Sequence, residues 1–290
     1  MPPYARPRPS PNAEQRRVSI SATALDRLRG DPYQFYASSI LGLSALDALD
    51  AEPSAAWKGT AVHAILEKWH EAGGDLGELG ARMLSEMSAH PFTKATWQLR
   101  LVRALEWVAG ETTRLAGEGR KPALWEKFGT IDIDGIRIHG KADRIDRMDG
   151  EKLAIIDYKT GSPPTNAQVE QGFNLQLGVL GLIAARGGFD GLTGTPERFE
   201  YWSLGRSDKS ETGFGYAAEP IKEGQRRTGL PRAEFLAQTE FFLRDALSRW
   251  ILGDEPFVAR LNPDLPSYGD YDQLMRLDEW QARGDVEEAG

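Results

Sequence analysis

The chain has 290 residues, 40% hydrophobic and 27% charged, a composition ordinary for a globular protein with a substantial core. It holds no cysteine, which excludes disulfides, zinc–thiolate sites and cysteine-ligated iron–sulfur clusters. No apolar run is long enough to cross a bilayer, and the start, MPPYARPRPSPNAEQRR, lacks the apolar core of a signal peptide, so a cytoplasmic location with no membrane partner is expected.

Residues 1–18 are rich in proline and arginine and are expected to form a flexible linker or arm. Residues 19–290 are expected to form one domain: a helical part over 19–120, a core over 121–205, and a helical and irregular part over 206–290. SISATALDRL reads as a short capped helix that Asp31-Pro32 breaks. From Gly59 a stronger helix carries Val62, Ile65, Leu66 and Trp69 at the spacing of a buried stripe. Helices near 76–89 and 92–117 follow, the second with Trp97, Leu101, Leu105 and Val108 on its core side.

The period then changes to alternation. Ile131 and Ile133 end one strand, Asp134-Gly135 is a hairpin signal, and Ile136 and Ile138 begin the return. Asp149-Gly150 marks a second turn, and Leu153, Ile155 and Ile156 lead into Asp157. A helix over 166–186, a strand over 198–204, a loop over 206–230 and a long helix from about Arg232 to Leu252 complete the reading. The fold class expected is mixed α/β, a largely antiparallel opening of a mixed sheet flanked by helices.

The chemistry concentrates in GKADRIDRMDGEKLAIIDYKTG, residues 140–161. Residues two apart on a strand share a face, so Asp157 and Lys159 share a pocket. A carboxylate for a cation beside an ammonium for an anionic oxygen suits metal-assisted hydrolysis of a phosphodiester. A two-residue turn at 149–150 would put Asp143 and Asp157 on opposite faces. A shared site therefore predicts a three-residue loop, Asp149-Gly150-Glu151, or a bulge that pairs Asp143 with Asp157.

Gly59 and His63, then Gly140 and Asp143, then Asp157 to Gly161, then Gln176 and Leu177 follow one another in an order that resembles the PD-(D/E)XK nuclease superfamily, in its RecB-like branch. ISATALDRLRGDPYQFYASSILGL and YGDYDQLMRLDEW further resemble the nuclease domain at the C-terminus of AddB-type helicase–nuclease subunits. Asp31 stands where relatives with an iron–sulfur cluster carry cysteine, which implies that no such cluster is present. The resemblance implies a restriction-endonuclease-like core and metal binding by His63, Asp143, Asp157 and the main-chain carbonyl of Tyr158. It implies Mg²⁺, with Mn²⁺ suited to the imidazole. Lys159 would orient water or stabilise the transition state, and Gln176 would position Lys159 or a DNA phosphate. Leu180 stands where RecB-like sequences usually carry tyrosine.

The implied activity is a Mg²⁺-dependent exodeoxyribonuclease acting on single-stranded DNA, with an AddA-type helicase–nuclease partner in double-strand break repair. The alternatives are a nuclease-fold module that binds DNA without cutting, and a stand-alone RecB-like exonuclease. The formal charge of −8 does not itself advertise a nucleic-acid binder. Local basic clusters exist around 137–152 and at Lys222, Arg226, Arg227 and Arg232; their bland reading is a solvated face. Lys141 and Arg144, nearest the motif, are the expected DNA contacts, and Trp57 and Tyr158 the candidates for base stacking. Asp146, Glu67 and His70 are expected on solvated surfaces.

Overall fold

The computed structural model describes residues 5–44, 55–86, 91–224, 228–262 and 270–280. Arg226, Arg227 and Tyr268, which the sequence reading invoked, lie outside the described residues. The strands are β1 (Ile20–Ser21), β2 (Lys121–Ile133), β3 (Ile136–Met148), β4 (Lys152–Lys159), β5 (Thr195–Arg206) and β6 (Phe214–Ala218). The helices are α1 (Ala13–Arg16), α2 (Ala22–Gly30), α3 (Pro32–Phe35), α4 (Ala55–Ala72), α5 (Leu76–Glu86), α6 (Pro91–Gly117), α7 (Asn166–Glu170), α8 (Gln176–Ala185) and α9 (Phe235–Ala246).

The six strands form one mixed sheet. β2 runs antiparallel along one edge of β3; the other edge of β3 takes β1 at its start and β4 at its end. β4 pairs in parallel with β5, and β6 closes the far side antiparallel to β5. Helices cover both faces, because alternate residues of the central strands are apolar on both sides. Ile156, Trp202 and Leu204 pack with Val62, Ile65 and Leu105 of α4 and α6. Ile145, Ile155 and Phe199 pack with Leu25, Leu180, Ile183 and Leu243 of α2, α8 and α9. The mixed α/β expectation is met, as is the helix through residues 92–117, while the helix expected from Gly59 already begins at Ala55.

Three expectations are corrected. Residues 5–18 are docked rather than a loose arm. The carbonyls of Pro7 and Pro9 accept from the amides of Ala259 and Phe257, each at 2.9 Å. Arg16 is 3% exposed and donates to the carbonyls of Trp250 and Glu255, both at 2.8 Å. The helix expected over 166–186 is two helices, α7 and α8, split where Gly172 and Asn174 take φ of 80° and 59°. The loop expected over 206–230 contains β6.

α8 is buried from Leu177 to Ala184, which explains its lack of a polar face. Gly178 is the point where it touches α9: a Cβ there would lie 2.7 Å from Thr239 Cγ2 and closer still to its hydroxyl. Thr239 cannot swing away, being 1% exposed and bonded to the carbonyl of Phe235 at 2.9 Å. Alanine in place of glycine gains about 1 kcal/mol of helix propensity, yet overpacking costs about 1–3 kcal/mol. Gly178→Ala is therefore expected to lower the thermal midpoint, measurable by calorimetry.

Candidate active site

The second hairpin decides the geometry. Asp149–Glu151 form a three-residue turn, with Met148 opposite Lys152 and Arg144 opposite Ile156. Gly150 takes φ 70° in that turn, as its position demands. Carried one step further, this register sets Asp143 opposite Asp157, as the shared site required. The ladder's last printed rung is Arg144 with Ile156; beyond it the Asp143 side chain takes over, Oδ2 accepting the Tyr158 amide at 2.8 Å. The same counting across β2, where Trp125 faces Arg144 and Lys127 faces Ala142, sets Glu126 opposite Asp143. Three carboxylates thus lie in one row across three strands.

α4 brings His63 against this row. Its Nδ1 lies 2.8 Å from Glu126 Oε1 and 3.5 Å from Asp143 Oδ1. Ligand atoms of His63, Glu126 and Asp143 all fall within 4.8 Å of one another. Glu126 reaches this point from a left-handed backbone, φ 48°, and its Oε2 pairs with Lys141 Nζ at 2.6 Å. Asp157 is turned the other way: its Oδ2 lies 2.7 Å from Lys159 Nζ. Lys159 Nζ also donates to Gln176 Oε1 at 3.1 Å, at the first residue of α8, and lies 5.8 Å from the ring centre of Tyr201.

The electrostatics show a site short of positive charge. Burial, and then the charge of Asp157, push Asp143 up to about 8, against the pull of His63 and the Tyr158 amide. Burial alone would lower His63, but its bond to Glu126 and the charges of Asp143, Glu126 and Asp157 raise it to about 9. Burial would likewise lower Lys159, and Asp157 more than reverses it. An imidazole with clustered carboxylates is a donor set that fits a hard divalent cation, the imidazole favouring Mn²⁺ somewhat.

These shifts give a pH dependence for the metal-free protein. His63 is raised from 6.5 to about 9, so its contribution is complete below pH 6.5 and is lost as pH rises through 9. Asp143 is raised from 3.8 to about 8, so its ionisation also removes stability as pH rises through that window. Both groups bind protons more tightly when folded. In chelator, the melting temperature is expected to fall between pH 6.5 and 9; a rise across that interval would contradict the arrangement.

The remaining expected site residues divide. Lys141 is half-exposed beside Glu126, at the rim of the site. Trp57 is half-buried, its ring centre 5.5 Å from that of Trp97. The Tyr158 ring packs edge-on between Trp202, at 6.0 Å, and His63, at 6.4 Å, while its amide donates to Asp143.

Arg144 is corrected: it is 0% exposed and cannot present itself to DNA. It lies on the far face of β3, forked onto Asp146 at 2.5 and 2.9 Å. Asp146 is corrected with it, being 0% exposed. His70 is half-buried and stacks on Trp125 at 5.3 Å, and burial lowers it to about 4. Glu126 was not anticipated, although the Asp134-Gly135 hairpin already set it opposite Asp143.

A sheet with helices on both faces brings a histidine, clustered carboxylates and a paired lysine to one place, and His63, Glu126 and Asp143 form a group that could hold a metal ion. A sequence model of the PD-(D/E)XK nuclease superfamily matches residues 19–262, and the chain belongs to that superfamily. Among curated proteins it is similar to uncharacterized proteins of Rickettsia conorii, 29% identical over 190 residues, and of Rickettsia felis, 29% identical over 189. Each match takes in 59% of this chain, and the chain spans only 22% of those relatives' length. A solved structure from Eubacterium rectale, described as a candidate exonuclease, aligns over 91% of this chain and 95% of its own at 12% identity and a TM-score of 0.44. Among the described residues no helix is long and apolar enough to cross a membrane.

Proposed function

We propose that this chain hydrolyses DNA phosphodiesters with a divalent cation, Mg²⁺ or Mn²⁺, and that its substrate is single-stranded DNA. The observation that carries the reading is the row of Glu126, Asp143 and Asp157, with His63 closing one end and Lys159 the other. His63, Asp143 and Asp157 would hold the cation, with the Tyr158 carbonyl beside them and Glu126 within the same cluster. The bound cation would supply charge to offset the phosphate and would lower the pKa of water. Lys159, held between Asp157 and Gln176, orients the attacking water or meets charge developing on a phosphate oxygen. Lys141 stands at the rim, placed to meet the DNA backbone.

An exonuclease role in double-strand break repair, in the cytoplasm, beside an AddA-type helicase–nuclease subunit, extends the same proposal. It is supported by the resemblance of the early and late segments to AddB-type subunits. A non-cutting module is disfavoured because the lysine and both aspartates are in place. The test is an end-labelled single strand incubated with the purified chain. Degradation with Mg²⁺, stopped by chelator and restored by excess cation, is expected. No cleavage of single- or double-stranded DNA with either cation would sink the reading.

A further inference from the structure

The mechanism leaves one polar contact unused. Asp26, half-buried on α2, accepts the amide of Leu175 at 2.6 Å. Leu175 is the residue immediately before Gln176, at the mouth of α8, and its own side chain supplies no cap. The turn leading to it is unusual, with Gly172 at φ 80° and Asn174 at φ 59°. One helical turn along α2, Arg29 Nε donates to the carbonyl of Gly172 at 2.7 Å. α2 therefore grips both ends of the turn that delivers Gln176 to Lys159.

We propose that Asp26 is a positioning residue of the active site: its carboxylate oxygen fixes the entry of α8, so that Gln176 meets the Lys159 ammonium. This rests on the nuclease reading of Lys159. The contact needs an acceptor oxygen rather than a charge. Burial pushes the Asp26 carboxyl up to about 7, and Oδ1 accepts whether or not the group is ionised. Asparagine offers the same oxygen, so it should preserve the function and alanine should not. A buried amide left without its acceptor also loses its reason to stay in place.

The experiment compares Asp26→Ala, Asp26→Asn, Gln176→Ala and the Asp26→Ala/Gln176→Ala pair on single-stranded DNA with Mg²⁺. Misplacing a reacting group by about 1 Å costs up to about a hundredfold in rate, so Asp26→Ala is expected to lower kcat by at least about tenfold with KM little changed. Asp26→Asn is expected within about threefold of the parent. The pair is expected to be no slower than Gln176→Ala alone, since both changes act through one contact. Should Asp26→Ala fail to fold, Asp26→Ser takes its place, because the shorter oxygen does not reach.

Amide hydrogen exchange over 171–178, without DNA or metal, gives a readout independent of cutting. The Leu175 amide should be protected in the parent and in Asp26→Asn and lose protection in Asp26→Ala. A parent-like kcat in Asp26→Ala overturns the proposal. So does an asparagine variant as slow as the alanine one, an additive pair, or an unprotected Leu175 amide in the parent. A parent that cuts no DNA sinks the nuclease reading instead, and the exchange measurement still tests the contact.

Discussion

Asp157→Ala is expected to slow DNA cleavage by at least about a thousandfold while the protein still folds. Asp157 is 1% exposed, stands opposite Asp143 in register, and lies 2.7 Å from the Lys159 ammonium. Its loss would remove one wall of the proposed cation site and the carboxylate paired with the lysine. The fold should survive because two effects oppose one another. The lysine loses its partner, but Asp143 loses the neighbour whose charge helps push it up to about 8. Lys159→Ala should match it in rate, and the double variant should be little slower than either, as expected of residues that act as a unit. Initial rates on a single strand, with melting curves of each variant, are the measurement. A folded Asp157→Ala within about tenfold of the parent would remove the carboxylate from the assigned role.

Much of this site could be counted out along the chain because turn chemistry fixes register. Asp149-Gly150 signalled a reversal, and the need for Asp143 and Asp157 to share a face left a three-residue loop or a bulge, of which the structure has the loop. Glu126 was countable by the same route, since Ile133 faces Ile136 across Asp134-Gly135. What hid it was its backbone: a glutamate at φ 48° in a strand breaks the alternation by which inward residues are recognised. Gly140 in the motif is explained only by the fold. A Cβ there would meet Leu180 Cδ2 at 2.7 Å, so α8 crosses β3 at the glycine. Leu180 is 0% exposed and serves core packing. The break between α7 and α8 was invisible because its cause lies about 150 residues earlier, in Asp26 and Arg29. The docked start was missed for a similar reason: proline carbonyls accept hydrogen bonds without any apolar signal in the sequence.

Arg144→Ala is the change whose expected outcome differs most from a sequence-only reading. A basic residue one position after a site aspartate suggests a phosphate contact, and its loss would then weaken DNA binding in a salt-dependent way. The structure places it elsewhere. Arg144 and Arg120 face Asp146 and Glu200 on the opposite face of the sheet, two cations with two carboxylates. Arg120 holds Glu200 with two bonds of 2.8 Å and Asp146 with a third of 2.8 Å. Arg144 adds its fork on Asp146, a bond to the Thr112 hydroxyl at 2.7 Å, and a guanidinium carbon 4.7 Å from the ring centre of Trp202. Removing Arg144 leaves buried Asp146 with Arg120 alone, which it must share with Glu200 (itself 3.5 Å from the half-exposed Arg198), a loss that costs about 3–5 kcal/mol. Chemical denaturation should show it as a lower midpoint. The folded fraction should bind a single strand at parent affinity and with the parent's salt slope. Lys141→Ala should do the reverse, with stability nearly unchanged, because its ammonium is half-exposed at the site's rim. If Arg144→Ala instead kept the parent's stability and lost affinity for DNA, the buried network would be wrong, and the face that carries it would have to open toward the substrate.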